Sequence, residues 1–198
     1  MSLAPAFDRE DSSPFDKLVA SLRERQLFSA LEEPVGLAVD LGSGFRAPLL
    51  RRLLARGHIR HGYAVDLSVD GQIAHSDLSV QQMDLNEGIV SLADETVEFL
   101  MSLAVLEHLA NPENLVREAY RLLAPGRTLF LTTPSPLAQP VLELMAYRLK
   151  LIDEAGIRDH KHYFTTRELE ELFTRCGFRQ VRVSRFLFGL NTMVVGIK

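Results

Sequence analysis

Short apolar runs alternate along this chain with segments whose apolar positions recur every three to four residues. The runs at 37–41, 62–66, 79–84, 97–102 and 127–132 predict strands, and 179–185 and 191–197 predict two more. Between them the helical period predicts helices over 47–56, from Pro112 through Leu123, over 137–152 and over 167–176. A further helix begins at Pro14, with Ser13 as its cap and Phe15, Leu18, Val19, Leu22, Leu27 and Leu31 as one apolar stripe. Asn111 is placed to cap the helix that Pro112 starts, and Pro125-Gly126 to end it. Thr165 and Glu168 have the spacing of a capping box, and Gly177 closes that helix. The dozen residues between Asp66 and the third strand are too few for a full crossover helix, so a short turn is expected there.

Strands alternating with helices predict an α/β fold: a doubly wound, Rossmann-like, mostly parallel sheet covered on both faces. Residues 1–35 read as an N-terminal helical segment packed on the core, and 36–198 as a single domain. Right-handed crossovers put the C-terminal ends of all parallel strands on one edge, where such sheets bind ligands. Asp40 to Gly44, Asp66, Asp84 and Ser102 all fall on that edge.

Composition narrows the classes without naming one. With 198 residues, 46% hydrophobic and 24% charged, the chain can bury a core of its own. A net charge of −4 gives no global field for nucleic acid, and Arg51, Arg52, Arg56, Arg60 and His61 read as the solvated side of one helix and its exit. The lone Cys176 permits no intrachain disulfide. With no basic leader and no apolar run of spanning length, a cytoplasmic protein without a membrane span is expected.

The chemistry gathers around Val39-Asp40-Leu41-Gly42-Ser43-Gly44-Phe45-Arg46-Ala47, an apolar run that breaks into two glycines ahead of a helix. Such a turn lets a ligand approach the backbone closely. Gly42 to Ala47 also satisfies the G-x-G-x-x-[G/A] dinucleotide pattern, and Asp66 follows at the distance of a ribose-binding acid. A nicotinamide-dependent oxidoreductase is therefore one reading. Against it, Asp40 stands where a carboxylate would oppose a pyrophosphate, and Asp84 adds a third carboxylate on the same edge. A ligand carrying an ammonium, a diol and an exocyclic amine would use all three.

At these residues the chain resembles the class I S-adenosylmethionine-dependent methyltransferases, in particular the small-molecule group that includes the ubiquinone and menaquinone biosynthesis enzymes. The resemblance runs through Val39 to Gly44, Ala64-Val65-Asp66-Leu67-Ser68, Met83-Asp84-Leu85 and Val105-Leu106-Glu107-His108-Leu109. It continues through Glu118 to Gly126, His162-Tyr163-Phe164-Thr165-Thr166 and Glu168 to Phe178. It implies a C-terminal antiparallel hairpin and strand order 3-2-1-4-5-7-6. It implies that Asp40 with the backbone of Gly42, Ser43 and Gly44 holds the methionine end of the cofactor. Asp66 and Leu67 would serve the ribose, Asp84 and Leu85 the adenine edge, and Ser102 and Leu103 the neighbourhood of the sulfonium. Arg46 stands where the family usually has a third glycine.

The same resemblance places a substrate-cap insertion at about 137–163. Candidate catalytic residues are His108, as a base, and Glu107; candidate substrate contacts are Met145, His160, His162 and Tyr163. Two histidines two apart, with no third ligand defined, predict no metal site. The expected partner is a small-molecule acceptor, with a homodimer open through the apolar face of 137–152. A methyltransferase-like module that binds without catalysis is the non-enzyme alternative.

Overall fold

In a computed structural model describing residues 14–31 and 34–198, seven strands form one sheet in the order β3-β2-β1-β4-β5-β7-β6. The elements are α1 (Pro14–Ala30), β1 (Val35–Leu41), α2 (Pro48–Ala55), β2 (Ile59–Asp66), β3 (Leu78–Gln82), β4 (Val97–Leu103), α3 (Pro112–Leu122) and β5 (Leu123–Pro134). They continue with α4 (Ala138–Glu143), α5 (Glu154–Arg158), α6 (Thr166–Arg175), β6 (Gln180–Phe186) and β7 (Asn191–Ile197). β1 to β5 run parallel, and β7 pairs antiparallel with both β5 and β6. The doubly wound sheet, its hairpin ending and its strand order are those expected.

Period-two alternation divides the core. On one face Ala38, Ala64, Phe99, Met101 and Phe130 meet Leu27 of α1 and Leu49, Leu50 and Leu53 of α2. On the other Val39, Leu41, Leu100, Leu129 and Leu131 meet α3 and α6 through Leu115, Ala119, Leu169 and Phe173. Each ordinary buried leucine there contributes about 1.5–3 kcal/mol relative to exposure. The link between β2 and β3 is a single 3₁₀ turn at Gly71–Ile73, as its length required. The Thr165–Glu168 capping box forms on both sides.

Several boundaries differ. Ser13 and the side chain of Phe15 lie outside the described residues, as do residues 1–12. In α1, Leu18 leaves the expected stripe and is exposed, while Arg23 is buried. Asn111 makes no capping bond; the Asn86 side chain instead accepts from the N–H groups of Ala110 (2.7 Å) and Asn111 (3.4 Å). Pro125-Gly126 sits inside an irregularity of β5, which starts at Leu123. Arg51, Arg52, Arg56 and Arg60 are solvated as expected, but His61 belongs to β2 and bonds Ser79 Oγ at 3.1 Å. The helix expected over 137–152 is only α4 followed by a π turn at Leu144–Arg148, and α5 occupies part of the expected loop.

Candidate active site

The glycine turn is built by backbone bonds before any ligand is considered. The N–H groups of Gly42 and Ser43 both donate to the Val65 carbonyl, at 2.8 and 3.1 Å, folding the turn back over β2. Gly42 has φ +89°, and a Cβ there would come within 2.1 Å of Val105 Cγ2. Only glycine combines that dihedral with that closeness. The next glycine's N–H donates to Asp66 Oδ2 at 2.9 Å, and Ser68 N–H to Asp66 Oδ1 at 3.1 Å. A carboxylate offers about four lone-pair sites, so both oxygens, already oriented by the loop, keep capacity for a diol.

Asp40 is the electrostatic anomaly. It is almost fully buried, and its Oδ1 has no hydrogen-bond partner. Burial, followed by the charge of Asp66, pushes its pKa up to about 8. A buried acceptor of this kind costs free energy until a cationic donor meets it. Asp84, past the end of β3, is exposed. Its Oδ1 accepts from Asn86 N and Asn86 Nδ2, both at 2.8 Å, bonds that hold its pKa below the usual range. Leu85 beside it is buried, and Leu67 stands 58% exposed on the cavity wall. Arg46 turns to solvent, with its Nε 3.8 Å from Asp70, and does not line the cavity.

Asp40, Gly42, Ser43, Gly44, Asp66, Leu67, Asp84 and Leu85 line a cavity of about 870 Å³, as does Leu103. Ser102 lies behind that wall. It is fully buried, and its Oγ donates to the Leu41 carbonyl at 2.8 Å, tying β4 to β1.

The turn after β4 and the segment between α5 and α6 line the same cavity. Glu107 is 1% exposed, and its Oε2 accepts from Thr133 Oγ1 at 3.0 Å. Burial raises its pKa against the opposing influence of His108 and Arg23. His108 Nδ1 lies 3.1 Å from Asp159 Oδ2. His160 packs edge-on against the His108 ring, 4.7 Å between centroids, and its Nδ1 is 2.9 Å from the Tyr163 hydroxyl. Burial and the neighbouring His108 lower the His160 pKa to about 4. Burial raises that of Tyr163 to about 12.

Of the expected substrate contacts, His160 lines the cavity, whereas Met145, His162 and Tyr163 do not. His162 stacks towards Phe164, and the Tyr163 hydroxyl meets His160 Nδ1. Val141, Leu142, Ile152 and Ile157 supply the apolar wall in place of Met145.

Several site residues escaped sequence reasoning. Arg23 lines the cavity from α1 and donates from Nη2 to Asn191 Oδ1 at 3.2 Å. Asp159, Thr133 and Asn191 likewise carry no local motif. A polar residue interrupting the apolar stripe of α1 was the one available signal for Arg23.

The sequence matches the family described as "Methyltransferase domain" over residues 15–183. No curated protein sequence matches the chain. Among solved structures it is similar to an S-adenosylmethionine-dependent methyltransferase from Mesorhizobium loti, at 16% identity and a TM-score of 0.67, over 89% of this chain and 98% of that one. It is similar to a Thermotoga maritima protein described as a possible histamine N-methyltransferase, at 22% identity and a TM-score of 0.65, over 90% and 89% of the two chains. A Haloferax volcanii complex of a methyltransferase with the Trm112 activator gives 18% identity and a TM-score of 0.64, over 93% and 97%. At these identities the structures speak for the fold.

Proposed function

The chain belongs to the methyltransferase-domain family, with S-adenosylmethionine as its cofactor, and from that premise we propose that it methylates a small molecule. One observation carries the choice of acceptor: a single cavity of about 870 Å³ reaches from the three carboxylates to Glu107, His108 and His160. Its size is that of small-ligand sites. Residues of α1, α4 and α5 wall it, which supports a small acceptor over a macromolecular one.

The residues present fit the cofactor, since Asp40 offers a buried acceptor that lacks a hydrogen-bond partner at Oδ1, and Gly42 sits where no Cβ could. When bound, it supplies a methyl group on an electrophilic sulfonium. Asp40 and the Gly42–Gly44 backbone would hold its ammonium end, Asp66 its ribose hydroxyls, and Asp84 with the Leu85 N–H its adenine edge. Leu103 and Leu67, which line the cavity where Ser102 does not, would supply its apolar contacts.

The segment at about 137–163 is the substrate cap, and the apolar side chains of Val141, Leu142, Ile152 and Ile157 exclude water from the acceptor. Glu107 and His108 stand at the acceptor end as the catalytic pair. Asp159 fixes the His108 ring, so that Nε2 is the nitrogen left to take an acceptor's proton. Leu144, Tyr147, Leu149 and Leu151 are exposed and do not line the cavity, which supports the homodimer reading; sedimentation tests it. The single cysteine supports a cytoplasmic setting. Among the described residues no helix is long and apolar enough to cross a membrane.

Calorimetric titration with S-adenosylhomocysteine tests the cofactor assignment: wild type should bind, and Asp66→Ala should bind at least about 100-fold more weakly. Transfer of a labelled methyl group should then be scored on phenols, catechols, alcohols and amines beside transfer RNA and protein. Label in RNA or protein, with none in any small molecule, overturns the acceptor class.

A further inference from the structure

We propose that Glu107, His108 and His160 bind a divalent transition-metal ion at the acceptor end of the cavity, and that the ion holds an oxygen of the methyl acceptor. One ligand atom from each of the three lies within 4.8 Å of the others. Two imidazoles and one carboxylate form a set that leaves positions open for water or substrate. A tetrahedral ion with bonds of about 2.0–2.1 Å brings its ligand atoms to about 3.3 Å apart. Side-chain rotations of about an ångström close that difference.

The surroundings of the three residues carry the inference further than proximity does. A metal-binding histidine generally gives its other ring nitrogen to an oxygen, which sets the tautomer and orients the ring. Both histidines have that partner. His108 Nδ1 is 3.1 Å from Asp159 Oδ2, and His160 Nδ1 is 2.9 Å from the Tyr163 hydroxyl. With each Nδ1 engaged, each Nε2 is the nitrogen left to ligate. The carboxylate is steadied in the same way by Thr133 Oγ1 at 3.0 Å. The chain segment bearing His160 is registered on Glu107 itself, whose carbonyl accepts from Lys161 N at 2.8 Å and His162 N at 3.2 Å.

Two cations oppose an ion here. Arg23 acts on both Glu107 and His160, and Lys161 Nζ donates to the His108 carbonyl. The carboxylates of Glu107 and Asp159 offset them.

The inference rests on the methyltransferase reading for its substrate half and narrows the acceptor to one with a hydroxyl. A coordinated hydroxyl loses its proton to water more readily than a free one. In the ion-free protein His108 Nε2 is the base; with the ion bound it is a ligand, and the ion replaces it as the group that activates the acceptor hydroxyl.

The full chain, stripped with chelator, should be titrated with Co²⁺ alone and followed by visible absorption, and with Zn²⁺ by calorimetry. The expected result is one ion per chain with Co²⁺ ligand-field bands. His160→Ala and Glu107→Gln should each weaken binding at least about 100-fold, and Asp159→Ala about 10–100-fold. His75→Ala, an exposed histidine elsewhere, should change nothing. Arg23→Met should tighten binding. Each variant's S-adenosylhomocysteine affinity is measured in parallel and should stay at the wild-type value, which separates loss of the ion from loss of the fold. Absence of saturable binding below the millimolar range overturns the site, as does stoichiometric binding unaffected by His160→Ala and Glu107→Gln. A chain that binds the homocysteine product but no metal loses only this inference. One that binds metal but no homocysteine product keeps the site and loses the reading beneath it.

Discussion

Asp40→Asn should stabilise the unliganded protein and weaken its ligand at once. In the folded chain Asp40 titrates at about 8, against 3.8 for an ordinary aspartate, because it is buried beside Asp66. The folded state therefore binds the more protons between those values, and stability falls as pH rises through that window. Above pH 8 the full cost applies. At 1.36 kcal/mol per pH unit, raising the pKa from 3.8 to about 8 sets that cost on the order of 5–6 kcal/mol. Asparagine keeps the shape and cannot ionise. Its unliganded Tm should match wild type near pH 4 and exceed it at pH 8.5, by roughly 10–20 °C at the usual 2–4 °C per kcal/mol for a chain of this size. Ligand binding moves the other way. Losing a hydrogen bond between charged groups costs about 1.5–3 kcal/mol, or roughly 10- to 150-fold in S-adenosylhomocysteine affinity. Wild type should also release a proton on binding near neutral pH, visible as a dependence of the calorimetric heat on buffer, and Asp40→Asn should not. Wild-type affinity in the variant, or an unliganded stability that follows pH as wild type does, would refute the assignment of Asp40 as the buried counter-charge.

Gly42→Ala should cost about 1–3 kcal/mol in urea unfolding, through φ +89° and the 2.1 Å approach to Val105, and should lose cofactor binding. Adding Val105→Ala relieves the contact but not the dihedral, so rescue should be partial. Glu118→Ala should destabilise by about 1–3 kcal/mol, also by urea unfolding, because it orphans Val90 N (2.7 Å) and removes the 2.6 and 2.8 Å bonds of Arg121, which keeps Asp94 and the Val90 and Leu92 carbonyls. A loss below about 1 kcal/mol would place that network on the solvated surface instead.

What could be read from sequence was what the backbone period and local chemistry encode. Alternation located the strands, and their acidic C-terminal ends located the sheet edge, so Asp40, Asp66 and Asp84 were legible as a group. The Thr165–Glu168 box was legible because both partners are three residues apart. The acceptor end was less so, because its pairs are long-range: His108 with Asp159 across 51 residues, Arg23 with Asn191 across 168. The stripe of α1 fits more than one face of a helix. Arg23 takes an inward position because the cavity end it meets is polar, and Leu18 turns outward. Segment 137–152 keeps an apolar period past the end of α4, but Leu144, Leu149 and Leu151 have no core to meet, and Lys150 turns the chain at φ +51°.

Asp66 is bound into its loop before any ligand arrives. The carboxylate that waits for the ribose already clasps the N–H groups of Gly44 and Ser68. Its removal therefore subtracts two free energies in one stroke, the contact and the readiness of the loop to make any contact. A double-mutant cycle pairing Asp66→Ala with a ligand lacking one ribose hydroxyl would separate them, and the residual left after that subtraction measures how much of recognition was completed during folding.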